Sequence, residues 1–143
     1  MISAQLALAL RDAGLPWSPS AGDRFVIPQP ELDGELFTLS EMTIEAREYP
    51  TGTILGFNGT TEWALDSVAK DDVLWMPRED QLRELLGESF VSLVTGDVTS
   101  FGPFYRVTTR SAQGLQEYEA VTAADAYGLA VLAQLVARRT AAP

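Results

Sequence analysis

The chain of 143 residues contains neither cysteine nor histidine. Disulfides, thiolate nucleophiles, imidazole bases, histidine pH switching and zinc sites of the usual ligand types are thereby excluded. Without thiols the sequence carries no mark of a redox compartment. Long apolar runs are missing too. No stretch approaches the roughly twenty residues that a spanning helix needs. The apolar N-terminus, Met1 to Gly14, lacks a basic leader and is interrupted by Arg11 and Asp12, so it does not follow the pattern of a secretory signal. The expected location is the cytoplasm, with no membrane partner.

Positive charge is also scarce. Ten Lys and Arg stand against 20 Asp and Glu, for a net charge of −10. Such a field repels phosphate backbones, and the cations are scattered, with Arg138 and Arg139 the one adjacent pair. Nucleic acid is therefore not an expected partner. The hydrophobic fraction of 46% and charged fraction of 21% are those of a chain that buries a core. The length fits a single domain over 1–143.

Turn and cap residues divide the chain into short elements. Leu6, Ala7 and Leu10 recur at helical spacing from Ser3 to Ala13, with Gly14 and Pro16 as a stop. Trp17 lies in a loop and is expected to tuck onto the core. Asp23–Ile27 and Leu36–Leu39 read as strands. Met42, Ile44 and Ala46 alternate with polar neighbours, and Tyr49 to Gly52 places proline and glycine in a hairpin turn before the return strand Thr53–Phe57. A short helix is expected over Glu62–Val68 and a buried strand over Val73–Met76. A helix opens at Pro77 and closes at Gly87. Thr95–Pro103, rich in Gly, Ser, Thr and Asp, reads as a loop. Phe104–Thr109 and Leu115–Val121 form a second hairpin around Gly114. Thr122 then caps a long helix to about Arg139, in which Gly128 marks a close approach to another element. The apolar positions of that helix cover more than half its circumference, so it should be largely buried.

Few patterns suggest chemistry. Ser67 and Lys70 have the S-x-x-K spacing of serine acylases, but the companion motifs are missing and a helix ending in a solvated lysine accounts for both. The glycines Gly52, Gly56 and Gly59 run toward a helix start, as phosphate loops do, without the lysine that such loops carry. Glu31, Asp33 and Glu35 around Gly34 imitate a calcium loop. Its twelfth position would be Ser40 rather than a bidentate glutamate. Asn58, Thr60, Glu62, Trp63 and Asp66 are the candidate binding residues. Trp63 sits beside two acids on a helix whose opposite face, Leu65 and Val68, serves the core.

Three segments, Phe57–Ser67, Pro77–Gly87 and Ala124–Ala130, resemble short uncharacterised actinobacterial proteins, some of which carry the label of pilus assembly protein. The resemblance implies a small domain with no assigned activity and supplies no catalytic residue. The arginine bias among the cations agrees with a GC-rich genome.

The expected fold is α+β: an antiparallel sheet of two hairpins plus short strands, with the helix from Pro77 and the C-terminal helix on one face. The expected function is a non-catalytic protein-binding or adaptor module without a cofactor, its acidity suited to a basic protein partner. One alternative is a small enzyme working through carboxylates with a divalent metal, Glu62 and Asp66 being one helical turn apart. The other is a structural subunit that self-associates.

Overall fold

A computed structural model describes residues 1–30, 32, 34–40, 44–57, 67–98 and 102–141. The fold is α+β, and its strands group into three antiparallel sheets of three. The chain divides into two compact units. Met1–Leu15 and Pro77–Pro143 form one, and Pro16–Met76 form the other.

In the Pro16–Met76 unit, β1 (Arg24–Val26) is the central strand between β2 (Leu36–Thr38) and β6 (Leu74–Trp75). A second sheet has the order β3 (Ile44–Tyr49), β4 (Gly52–Phe57) and β5 (Ser67–Ala69). The β3–β4 hairpin closes at the pair Tyr49↔Gly52, which leaves Pro50 and Thr51 as its two-residue turn. Pro50 fixes its own φ, and Gly52 takes φ +132°, which an L side chain resists. Phe25, Ile27, Phe37, Leu39, Ile44, Leu55 and Val68 make the core of this unit together with Trp17. Phe25 stacks on Phe37 at 5.5 Å and Trp17 on Trp75 at 5.9 Å.

Trp17 is buried as the sequence suggests, and a carboxylate explains how its ring is held. Asp23 is 3% exposed, and its Oδ2 accepts from Trp17 Nε1 at 2.9 Å and from the Ser20 amide at 3.1 Å. A buried acid is tolerated where donors converge on it. The Nε1–H of Trp75 is buried with no acceptor among the described residues.

The expected helix over Glu62–Val68 does not survive at its C-terminal end. Ser67 and Val68 belong to β5, paired with Gly56 and Leu55, and residues 62–66 lie outside the described residues. Lys70 begins a short 3-10 helix, Lys70–Asp72. Ser67 and Lys70 are therefore not one α-helical turn apart, and the S-x-x-K geometry is absent. β-branched Val68 finds a buried cross-strand site beside Leu55, and tertiary pairing overrides the helical reading.

In the other unit, α1 (Ala4–Asp12) is capped by Ser3, whose hydroxyl accepts from the Leu6 amide at 3.2 Å. In α2 (Glu79–Leu86) Leu82 and Leu86 are buried. Pro77 lies ahead of the cap residue Arg78 rather than at the first helical position, and Gln81 Oε1 accepts from the Arg78 amide at 2.9 Å. A meander follows, of β7 (Phe90–Val98), β8 (Gly102–Ser111) and β9 (Gly114–Ala120), with β8 in the centre. Then α3 (Ala123–Ala141) packs on β8, β9, α1 and α2. Thr122 Oγ1 accepts from the Asp125 amide at 3.1 Å, and Asp125 Oδ1 accepts from the Ser3 amide at 2.8 Å, which joins the starts of α1 and α3.

Gly128 marks a close approach, as its position in the sequence suggests. A Cβ there would lie 2.6 Å from Leu6 Cδ2 and 3.2 Å from Ile2 Cδ1. The extensive burial expected for α3 holds for its first half. Ala123 to Val131 supply its buried residues, whereas Val136 is 48% exposed.

Replacing Asp23 by Leu strands two donors in the core of the Pro16–Met76 unit. The variant is expected to lose roughly 2–4 kcal/mol in urea unfolding followed by tryptophan fluorescence, with Asp23→Asn losing less. An Asp23→Leu variant as stable as the parent contradicts this role.

Candidate functional site

The candidate binding residues Asn58, Thr60, Glu62, Trp63 and Asp66 all lie outside the described residues, as do Glu31 and Asp33. Among the described residues no group of three or more Asp or Glu is arranged to hold a metal ion, and no helix is long and apolar enough to cross a membrane. The surface feature that stands out is the three-stranded meander, and above all its β7 strand.

β7 corrects the sequence reading. Thr95–Pro103 reads as a loop, yet Thr95 pairs with Tyr105, Gly96 with Phe104, Asp97 with Pro103 and Val98 with Gly102. The glycine that suggests a loop serves the sheet. A Cβ on Gly96 would lie 2.3 Å from Phe104 Cζ, so the Phe104 ring lies across the bare backbone of the neighbouring strand. Aromatic cover of a strand glycine restores the apolar contact that glycine lacks.

Side chains alternate across the meander. Val107 is fully buried, in register with Leu93 on β7 and Tyr118 on β9, on the face that α3 covers. The opposite face carries the row Val94, Arg106 and Glu119. Arg106 Nη2 lies 2.7 Å from Glu119 Oε1, and its Nε lies 3.6 Å from Glu117 Oε2. The hydrogen bond to Glu119 raises the Arg106 pKa above its usual value. The same guanidinium sits 5.4 Å from the Phe104 ring centroid. Phe104 and Arg106 thus tie the central strand to both neighbours.

The two edges of this sheet differ. β9 presents Glu117 and Glu119, and charges on an edge discourage an incoming strand. β7 has one charge, Asp97, and no proline, lysine or arginine along its nine residues. Its protection is limited to a bulge between Phe90 and Ser92. Val91 and Val94 are 42% and 43% exposed. Beyond β8, no described strand pairs with it.

A pocket of about 380 Å³ opens where β7 begins, lined by Asp80, Arg83, Glu84, Gly87 and Phe90. Three of these residues lie on one side of α2. The Arg83 guanidinium is 4.4 Å from the Phe90 ring centroid, and Phe90 contacts Tyr127 at 5.8 Å. Burial pushes the Tyr127 phenol up. Asp80 is hydrogen-bonded by the Arg78 guanidinium at 3.1 Å, which holds its carboxyl below the usual value. Glu84 has no ion-pair partner among the described residues. Sequence reading misses this site because its signal is weak. Phe90, Val91, Leu93 and Val94 form a β-prone run without strict alternation, and the helix before it draws attention to α2 alone.

Gly96→Val is expected to displace the Phe104 ring and destabilise the fold by roughly 1–3 kcal/mol. The cost should shrink in a Phe104→Ala background, as a double-mutant cycle in urea measures. Strict additivity of the two substitutions contradicts the contact. No family model, no curated protein and no solved structure matches the chain.

Proposed function

We propose that the chain is a non-catalytic protein-binding module of the cytoplasm, and that β7 is the strand through which it binds. The observation that carries this reading is the asymmetry of the meander. One edge is guarded by two glutamates, and the other is a nine-residue strand, carrying exposed Val91 and Val94, whose outer backbone groups face no further strand among the described residues. Unpaired backbone donors and acceptors in an ordered strand are a template for a further strand, and main-chain pairing of this kind is a recurrent mode of protein recognition.

Charge supports a protein of opposite sign as partner and disfavours nucleic acid. Residues 16–76 hold eleven of the twenty carboxylates and three of the ten cations, a net −8. The remainder of the chain, which contains β7, carries nine carboxylates against seven cations, a net −2. The long-range field attracts cationic proteins, while the binding strand itself lies in the less charged part of the chain and lets apolar contacts form.

A photo-crosslinking amino acid placed at Val94 in the full chain, irradiated in a native lysate, tests this reading. The expected result is one dominant heterologous adduct from position 94 and none from the exposed control position Leu36. No adduct at position 94, or equal adducts at both, contradicts it. An adduct of twice the chain's own mass instead supports a self-associating subunit.

A further inference from the structure

We infer that the partner is an extended segment bearing lysine or arginine, which adds to β7 as a fourth strand and sends one cationic side chain into the pocket beside Phe90. This rests on the protein-binding reading and specifies its ligand chemistry. Two separate features meet at one place. The open edge supplies backbone donors and acceptors in a row, and the pocket at its start supplies carboxylates. From Arg78 to Glu88 the chain holds Glu79, Asp80, Glu84 and Glu88 against two arginines. Both arginines are engaged, Arg78 on Asp80 and Arg83 over the Phe90 ring. Glu84 is left to meet a charge from outside, and Asp80, held by Arg78, keeps its own charge below the ordinary carboxylate range.

A second copy of the chain fits the same edge poorly. Its β7 has no cation to place in the pocket, and two chains of net charge −10 repel one another. A segment of basic protein meets neither obstacle. The flexible stem of a lysine or arginine also suits the reach from a strand edge to a carboxylate on α2.

The probe is a capped decapeptide of alternating valine and threonine with arginine at one end, titrated into the isotope-labelled full chain. Its counterparts carry glutamate in place of arginine, or N-methyl groups on alternate amides. The arginine peptide is expected to shift amide resonances within 91–97 and 80–87. Binding should weaken roughly threefold or more in the Asp80→Asn, Glu84→Gln double variant, the modest loss expected for exposed ion pairs. The N-methylated peptide should not bind, because its ladder is blocked. Equal binding of the arginine and glutamate peptides, or an arginine peptide that leaves 91–97 unmoved, overturns the inference. If the crosslinker at Val94 still captures a heterologous partner in that case, the protein-binding reading stands and the basic-strand assignment alone falls. Concentration-dependent shifts over 91–97 without peptide assign the edge to a second copy and also overturn it.

Discussion

A three-stranded sheet has two edges, and each edge strand leaves half of its backbone donors and acceptors without a ladder partner. Among the described residues β8 is paired on both sides, while β7 and β9 each pair on one side, which leaves their outer groups to water or another chain. The side chains decide which edge meets water. Glu117 and Glu119 line β9 and converge on Arg106, so that edge is charged and well hydrated. β7 has valines, serine, threonine and glycine there, with Phe104 laid across Gly96 to hold it flat against β8. A strand that is ordered, nearly uncharged and open on its outer side is a template for a further strand.

The remainder of that unit holds this strand in place. Val107 and its neighbours bury one face of the meander under α3, which is seated on α1 by the Gly128 contact and by the Asp125 bond to Ser3. Arg83 over Phe90 and Phe90 against Tyr127 connect α2 to the start of β7. The start of the strand is therefore fixed where the pocket opens. The Pro16–Met76 unit is built on a different principle, a cluster of aromatic rings ordered around the buried Asp23, and it carries most of the net charge.

The legible parts of the fold were those that rest on local chemistry. Pro50 with Gly52, and Gly114, mark the two hairpin turns because those backbone angles admit few residues. Gly87 marks a helix end for the same reason, and Ser3 and Thr122 mark helix starts because their hydroxyls accept free backbone amides. What could not be read depends on distant partners. Gly96 breaks a strand pattern unless Phe104, eight residues on, is known to cover it. Val68 is a helix residue by its neighbours and a strand residue by its pairing with Leu55. Leu135 and Val136 continue the apolar pattern of α3, yet its buried residues end at Val131, and its last turn meets α1 through a polar contact, from Arg139 to the Asp12 carbonyl. The candidate site was the least legible. Asn58 to Asp66 draw the eye through unusual composition, whereas an open edge is a property of pairing, and pairing is written in no single segment.

The central claim is that β7 is an open edge in the free chain. Amide hydrogen exchange, followed residue by residue at low protein concentration, tests it most directly. Slow exchange is predicted for β8 throughout, with β7 alternating between protected amides bonded to β8 and fast ones facing outward. Uniform protection of Val91 to Asp97 at the level of β8 would show that the edge is already covered, and would contradict the account.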